Sequence, residues 1–305
     1  MVVRKAGGLV VRVRFPAARL NEGEGGTEPR LDYRPAGRTY KTKLNVSYMR
    51  LITLNIWGGK LLEPLLEFVK THAKDTDIFC FQEMSSFASD VPPVYSIYRT
   101  DTMTDFTNAL PEFRAYFDPF QEINHSNEPN MDRGKFSLGN AIFIRSDIKV
   151  NRNGHIFIHK HKNAWTGDPE PLPRNLQHMH ISNGDQDYTI ANFHGLRIKD
   201  YGKGDHPGRL EQSKNIIEFL ETVSGKKVLV GDMNLNPDTE SMKILEQGMI
   251  NLIKEHGITS TRSRFYEKPE KFADYILVSP DVRVKKFTVM RDEVSDHLPL
   301  LLEFD

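Results

Sequence analysis

The feature that most constrains the fold is a short apolar run that ends abruptly in polar residues, within Lys226–Asn234. Val228–Val230 form the run, Gly231 ends it, and Asp232 and Asn234 follow two positions apart. Such a run predicts a buried strand of an α/β sheet, and ligands bind where the strands of such sheets end. Side chains two residues apart in an extended chain share one side, so both polar groups are expected to face one site. The alternative is a plain turn, since Gly-Asp and Asn-Pro pairs are common in turns.

Other segments repeat this arrangement of an apolar run beside a polar residue. Apolar patterns over residues 51–81 predict strand, helix and strand, a βαβ-like start. A hairpin is predicted over 176–193, an amphipathic helix over 209–222 and an apolar strand over 272–278. The polar residues at or near the ends of strands are Asn55, Glu83, His194, Asp232, Asn234, Asp296 and His297, and Asp274 lies inside a strand pattern.

The acidic residue within the last of these strands requires a partner. Burying a carboxylate without a partner destabilises the folded state by several kcal/mol. The most economical partner for Asp274 is His297, which an aspartate would orient and hold protonated. The candidate set is rich in oxygen and poor in sulfur, which favours Mg²⁺ or Mn²⁺ over zinc.

Charge is distributed unevenly along the chain. Of 41 Lys/Arg and 41 Asp/Glu, residues 1–48 hold ten and four, which leaves 31 basic and 37 acidic residues in 49–305. An acidic body argues against indiscriminate binding of a polyanion and fits a carboxylate site neutralised by a cation. Residues 1–48 show no sustained periodicity, so we expect a disordered, dispensable extension before a domain at 49–305. A basic arm that binds an acidic partner is the alternative.

The remaining composition bears on location. Cys80 is the only cysteine and lies in an apolar strand pattern, so we expect a buried thiol and a reducing, cytoplasmic compartment. No run approaches the ~18 apolar residues of a membrane span, so no integral membrane segment is expected. Arg12 and Arg14 interrupt the N-terminal apolar patch, which argues against a secretory signal. We expect a monomer.

Five motifs together resemble the endonuclease/exonuclease/phosphatase family, and they occur in family order across residues 49–305. The resemblance implies a deoxyribonuclease I-like, four-layer α/β/β/α sandwich of two packed, mixed but mostly antiparallel sheets. It also implies Mg²⁺-dependent hydrolysis of a phosphoester by an activated water. The motifs are Leu54-Asn55-Ile56-Trp57, Phe81-Gln82-Glu83, Gly231-Asp232-Met233-Asn234, Ala273-Asp274-Tyr275-Ile276-Leu277 and Ser295-Asp296-His297-Leu298-Pro299.

The same resemblance implies a metal site. Glu83 would be the main ligand, and Asn55 and Asp296 would contribute to the network of metal and water. The motifs leave open whether one or two ions act.

It also implies roles in catalysis for five side chains. Asp232 would orient and deprotonate the attacking water, and Asn234 would hold a phosphate oxygen. His297, supported by Asp274, would place positive charge on the developing oxyanion. His194 would protonate the leaving oxygen or bind the phosphate, although a structural core histidine is the alternative. The residues on either side of His194 differ from the family's usual Thr-His-Leu. A histidine at this position argues against membership of the apurinic endonuclease branch of the family.

Substrate contacts are expected from residues outside these motifs. Trp57 is placed to stack on a base or sugar, although a packed aromatic is the more common role. A rim near residues 159–162 is predicted with Trp165 and Arg174. Basic residues beyond the rim are further candidates for binding phosphate, although each one taken alone is more typical of solvated surface. They are Arg197, Lys199, Lys203, Arg209, Arg262 and Arg264.

The leading functional hypothesis is therefore a Mg²⁺-dependent phosphodiesterase that acts on nucleic acid as an endonuclease or exonuclease. The alternative is a sphingomyelinase-like or phosphoinositide-type enzyme with a lipid or small-molecule substrate. A catalytically silent scaffold is the third hypothesis, and it is disfavoured because every catalytic position is filled.

Overall fold

The computed structural model describes residues 48–87, 99–124, 135–164, 171–198 and 201–305, so the predictions for residues 1–47, Trp165 and Lys199 lie outside the described residues. The strands are β1 (Met49–Asn55), β2 (Ile78–Phe87), β3 (Phe113–Asn124), β4 (Lys135–Arg145), β5 (Lys149–His159), β6 (Arg174–Asn183), β7 (Gln186–His194), β8 (Lys226–Asp232), β9 (Ile250–Asn251), β10 (Asp274–Val278), β11 (Val284–Val289) and β12 (Leu300–Phe304). The helices are α1 (Leu62–Ala73), α2 (Thr102–Ala109), α3 (Pro207–Thr222), α4 (Glu240–Leu245) and α5 (Leu252–Glu255), and a 3₁₀ turn spans Trp57–Gly59.

The strands form two mixed, six-stranded sheets that pack face to face. The first has the order β11-β12-β1-β2-β4-β3, and the second has the order β5-β6-β7-β8-β10-β9. Only β1–β2 and β7–β8 are parallel among these neighbouring pairs of the described strands. Helices flank the sheets, which confirms the predicted α/β sandwich and its βαβ start.

Alternate residues of the central strands enter different hydrophobic clusters. Leu51 and Cys80 join the cluster that includes the second sheet, whereas Ile52 and Phe79 join the cluster under α1 and α2. Successive side chains of a strand point to opposite faces, so a strand buried on both faces reads as a continuous apolar run. Cys80 is buried as predicted.

Strand direction explains how residues that are distant in sequence reach one edge of the sandwich. β1 ends there beside Gln82 of the parallel strand β2, and the parallel strands β7 and β8 also end there. β10 runs antiparallel to β8 with Asp274 opposite Asp232, and β12 runs antiparallel to β1. Asp274 therefore opens β10, and Asp296 and His297 precede β12. These three residues lie at the beginning of their strands, because an antiparallel neighbour brings its beginning to the same edge.

The described residues correct the expected end of one strand. β2 does not end at Phe81 but continues to Phe87 through a register shift between Phe81 and Met84. Between β2 and β4, the described residues also contain α2 and β3. No helix in the described ranges is long and apolar enough to cross a membrane.

The glycine before Asp232 is required by a close backbone approach. Gly231 has φ +135°, and a Cβ there would lie 2.0 Å from the Phe193 carbonyl oxygen. We expect Gly231→Ala to lower the free energy of unfolding by about 3 kcal/mol or more, since it adds a clash to backbone strain. Gly248→Ala is the control, because Gly248 has φ +74° but no heavy atom of the described residues within 4 Å of the added Cβ, and a loss of about 1 kcal/mol is expected there. Equal losses in denaturant titrations of the two variants would contradict the close-contact argument.

Candidate active site

Glu83 enters the site through a β-bulge. It has φ +61° and lies where β2 slips register against β4. Bulges next to active sites turn a side chain toward a new direction, and positive φ in a non-glycine residue is typical of functional sites. Trp57 and Asn234 also have positive φ, at +53° and +54°. Three of the five non-glycine residues with positive φ in the described part of the chain thus belong to the predicted catalytic motifs.

A hydrogen-bond network joins the two sheets at this edge. The Asn55 amide donates to Glu83 Oε1 at 3.1 Å and to Asp232 Oδ2 at 3.0 Å. His194 Nε2 lies 3.5 Å from Asp232 Oδ2 and 4.0 Å from Glu83 Oε1. The structure thus brings Asn55 and Glu83 of the first sheet together with Asp232 and His194 of the second.

The predicted contact between Asp274 and His297 is present. His297 Nδ1 lies 2.8 and 2.9 Å from the two Asp274 oxygens, and the Thr261 hydroxyl donates to Asp274 Oδ2 at 3.0 Å. Burial alone would lower the pKa of His297, but the Asp274 and Asp232 carboxylates raise it above its ordinary value. On its other side, His297 Nε2 lies 2.6 Å from Arg262 Nη1.

Asp232 is buried and ionised. Burial works to raise its pKa, but the positive charges of His297 and Lys203 outweigh burial and hold the pKa well below its usual range. The Asn234 backbone N–H donates to Asp232 Oδ1 at 2.9 Å. Asn234 is therefore not on an extended chain, as the period-two argument assumed, but in a left-handed turn stabilised by the aspartate. Both side chains nevertheless line the site.

His194 is neutral at pH 7. Burial and the nearby Arg174 lower its pKa to about 3. A neutral imidazole retains one N–H, which suits a hydrogen bond to phosphate. The same pKa argues against the sequence hypothesis that His194 protonates the leaving oxygen.

Two groups of side chains have the donor chemistry for a metal ion. In the first, Asp232, Asp274 and His297 offer ligand atoms that all lie within 4.8 Å of one another. In the second, Glu83 faces Asp296 and Asp232; burial raises the pKa of Glu83, and those two carboxylates raise it further. The second group has an excess of negative charge and oxygen ligands, which fits a hard divalent cation. The first is less suited, because Asp274 and Arg262 contact both ring nitrogens of His297.

Three basic residues that the sequence analysis treated as solvated surface or rim are buried at this site. Arg174 and Lys203 are 4% and 5% exposed, and the Arg262 side chain is 6% exposed. Arg174 donates to the carbonyl oxygens of Gly195 and Pro173 at 3.1 and 3.2 Å. Burial lowers the pKa of Lys203 to about 8 and that of Arg174 to about 10. The sequence signal was ambiguous, because basic residues in polar loops are usually solvated.

The other predicted substrate residues have different surroundings. The Arg209 guanidinium donates to the Leu196, Gly202 and Gly204 carbonyl oxygens, which favours holding a loop over touching substrate. Arg197 is exposed beside the site. The side chain of Arg264 is exposed and paired with Glu293 at 3.1 Å, as expected of solvated surface.

Trp57 follows Asn55 directly and is held by it. The Trp57 backbone N–H donates to Asn55 Oδ1 at 2.9 Å. Its ring is half-buried, and Lys60 Nζ lies 4.0 Å from the ring centroid. Part of the ring therefore remains available for stacking.

A polar layer between the sheets was missed by the sequence analysis. Gln82 Nε2 donates to Asn192 Oδ1 at 2.7 Å, and the Asn192 amide donates to the Phe81 and Ala141 carbonyl oxygens, each at 3.2 Å. Both side chains are fully buried. They tie the strand that carries Glu83 to the strand that carries His194. The signal in the sequence is one amide near each site residue. Gln82 directly precedes Glu83, and Asn192 lies two positions before His194.

Comparisons with known proteins identify the family. A sequence profile of the Endonuclease/Exonuclease/phosphatase family matches residues 52–297. A mannosyl-6-phosphatase of Bacteroides thetaiotaomicron superimposes with a TM-score of 0.62 and 18% identity, over 84% of this chain and 99% of that one. The catalytic domain of human Nocturnin with bound sulfate gives 0.58 and 17%, over 85% and 93%. D. rerio TDP2 complexed with a single-strand DNA product gives 0.59 and 15%, over 85% and 99%.

At these identities, the similar structures establish the fold. Curated protein sequences gave no match. The family profile, by contrast, covers most of the chain and ends at the Ser-Asp-His motif. The chain belongs to the endonuclease/exonuclease/phosphatase family of phosphoester hydrolases.

Proposed function

We propose that this protein hydrolyses a phosphoester with a bound divalent cation, Mg²⁺ or Mn²⁺, and that Asp232 orients the attacking water. The observation that carries the proposal is the contact network of Asn55, Glu83, Asp232 and His194, which bridges the two sheets. Carboxylates suit a cation and an attacking water, and the adjacent His297 suits a developing oxyanion.

Glu83 and Asp296, with Asn55, are proposed to hold the cation. When bound, the cation polarises a phosphoryl oxygen and makes a water molecule more acidic. Glu83 is the strongest candidate for the main metal ligand, because its side chain is 33% exposed and no cation among the described residues lies within ion-pair distance to neutralise it. In this part of the chain, the one basic side chain within 4.0 Å of its carboxylate is that of His194, which is neutral. The Asp296 side chain is shared with Arg262, whose Nη1 lies 3.3 Å from Asp296 Oδ2.

Three side chains of the protein, those of Asp232, His297 and Asn234, would each have a separate role in the reaction at phosphorus. Asp232, ionised and buried, would accept a hydrogen bond from water and fix the direction of attack; its low pKa makes orientation its main contribution. His297, held by Asp274 at Nδ1 and contacted by Arg262 at Nε2, would place its positive charge beside a phosphoryl oxygen as negative charge develops. The Asn234 side-chain amide donates one hydrogen to the Gly195 carbonyl oxygen at 3.3 Å, and its second hydrogen would bind a phosphoryl oxygen.

The proposed substrate is, first, a phosphodiester in nucleic acid, cleaved as an endonuclease or exonuclease. One similar structure was determined with a single-strand DNA product, and another is a mannosyl-6-phosphatase. The acidic surplus of residues 49–305 weighs against a polyanion and favours the second candidate, a lipid or small-molecule phosphoester of sphingomyelinase-like or phosphoinositide type. A monomeric state and a cytoplasmic location remain predictions from sequence.

Plasmid nicking by the full chain, with Mg²⁺ and with excess chelator, tests the nuclease. Nicking that requires Mg²⁺ would support the first substrate class. Mg²⁺-dependent turnover of a generic aryl phosphoester without nicking would support the second. No metal-dependent turnover of any phosphoester would contradict the proposal and favour the scaffold.

Removing the proposed main ligand should weaken metal binding. We expect Glu83→Gln to raise the Mn²⁺ concentration for half-maximal binding by about 10- to 100-fold, because a charged oxygen ligand is replaced by a neutral amide. Calorimetric titration with Mn²⁺ measures this shift without relying on activity. Glu63→Gln is the matched control, since Glu63 lies exposed in the first turn of α1. Unchanged Mn²⁺ affinity in Glu83→Gln would exclude Glu83 as the main ligand.

A further inference from the structure

Among the described residues, two of the buried cations, Arg174 and Lys203, have no carboxylate within 4.0 Å. Lys203 Nζ makes one hydrogen bond in this part of the chain, to Asn234 Oδ1 at 3.3 Å. Buried charges are normally paired, because removing a charge from water is costly. Cations buried without a partner at the edge of an active site therefore indicate that an anion completes them.

The loop that carries Lys203 is rigidly held. Arg209, itself buried, donates to the Gly202 and Gly204 carbonyl oxygens on either side of Lys203. The Lys203 carbonyl oxygen accepts from the Asn236 backbone N–H at 2.9 Å. Because the loop is ordered before substrate binds, little further conformational entropy is lost on binding, and the Lys203 ammonium is already directed at Asn234.

Arg262 is fixed on another side of the site. Its guanidinium lies 3.9 Å from the centroid of the Tyr266 ring, and its backbone forms an isolated bridge with His297. Nη1 contacts His297 and Asp296, whereas the buried Nε has no hydrogen-bond partner among the described residues. The guanidinium thus lies beside the proposed oxyanion site with its donors only partly satisfied, and guanidinium groups are well suited to binding phosphate.

Both cations lie one side chain away from Asp232. Lys203 contacts Asn234, whose backbone N–H binds Asp232 Oδ1, and Arg262 contacts His297, whose Nε2 lies 3.6 Å from Asp232 Oδ2. A phosphoryl group attacked by a water held on Asp232 would therefore lie within reach of both.

We propose that Lys203 and Arg262 bind non-bridging oxygens of a terminal phosphate, so that the site favours a phosphomonoester over an internal phosphodiester. This rests on the proposed phosphoester hydrolysis, and within that chemistry it replaces the phosphodiester, the first substrate candidate, by a phosphomonoester. A terminal phosphate carries about −1.5 to −2 charge at pH 7 and three strong acceptor oxygens, whereas an internal diester has one charge and two such oxygens. Water forms the new P–O bond, the ester P–O bond breaks, and the leaving oxygen takes up a proton. The products are an alcohol and inorganic phosphate.

The simpler explanation is that the cations only neutralise the four acidic residues of the site. It accounts for Arg262, which is paired with Asp296, and for the effect of the Lys203 charge on the pKa of Asp232. It does not account for the direct contact of the Lys203 ammonium, which is with a neutral amide. The two explanations differ in what they predict for substrates of different charge.

The test compares p-nitrophenyl phosphate with bis(p-nitrophenyl) phosphate, using the full chain with Mg²⁺. Lys203→Met and Arg262→Met should each lower the ratio of kcat/KM for monoester over diester by about tenfold or more, the usual loss for a hydrogen bond to a charged group. This ratio does not depend on the folded fraction of a variant. Lys243→Met and Arg283→Met, at exposed positions away from the site, should leave the ratio unchanged. Calorimetry with inorganic phosphate should show about tenfold weaker binding in the two site variants.

Equal losses on both substrates with unchanged phosphate binding would overturn the inference and leave the cations a neutralising role. No Mg²⁺-dependent hydrolysis of either substrate would instead contradict the proposed function, and the phosphate titrations would still test the two cations. Phosphate release from a 5′-phosphorylated oligonucleotide would identify a nucleic-acid end as the source of the terminal phosphate, and release only from p-nitrophenyl phosphate would identify a small molecule.

Discussion

Asp232→Asn is expected to lower kcat by about a thousandfold or more while the fold remains intact. A positioned base contributes about 10²- to 10⁴-fold, and Asp232 also accepts the Asn55 amide that connects it to Glu83. An asparagine of the same shape keeps an oxygen for one of these hydrogen bonds but presents no negative charge to the water. Steady-state kinetics at saturating Mg²⁺ measure the loss, and thermal melting checks the fold.

Asp75→Asn is the matched control, because Asp75 is exposed after α1. It should retain full activity. Asp232→Asn activity within about tenfold of wild type, at an unchanged melting temperature, would remove Asp232 as the residue that directs the water.

His297→Ala and Asp274→Ala are expected to be strongly non-additive. Each should lower kcat by about 10²- to 10⁴-fold, because both remove the charge held against the developing oxyanion. The Asp274 carboxylate accepts from His297 Nδ1 at 2.8 Å, so it acts through the imidazole. The double variant should therefore be no worse than His297→Ala by more than about threefold, as for residues that work as a unit.

A double-mutant cycle in kcat/KM measures this coupling. His72→Ala is the control, since His72 lies on α1 with its nearest carboxylate, Asp292, 3.8 Å away. Combined with Asp274→Ala, it should give additive effects. Additive losses for His297 and Asp274 would show that their contact does not matter to the reaction.

The strand positions were largely predictable because apolar periodicity is a local property. β1, β8 and β10 are short apolar runs, and the parallel pairing of β1 with β2 follows from the helix between them. The bulge at Glu83 was not predictable, because register depends on the facing strand β4 and not on the sequence of β2 alone. The same reasoning explains why β2 was expected to end at Phe81.

The motif residues were also predictable as a set, although their geometry was not. Five short motifs named Asn55, Glu83, Asp232, Asp274 and His297, and the structure brings all five to one edge of the sandwich. The turn at Asn234 and the neutral state of His194 depend on surroundings that only folding provides.

The sequence alone determined which kinds of side chain flank the strands, because strand periodicity and motif spacing are properties of neighbouring residues. Only the tertiary structure decided which basic residues are buried at the site, because burial arises from contacts between segments far apart in the chain. Asn55 and Asp232 are 177 positions apart, Arg262 and His297 are 35 apart, and Lys203 and Asn234 are 31 apart. A lysine in a glycine-rich loop looks the same in sequence whether it is solvated or, like Lys203, buried at the candidate active site in a loop that Arg209 holds.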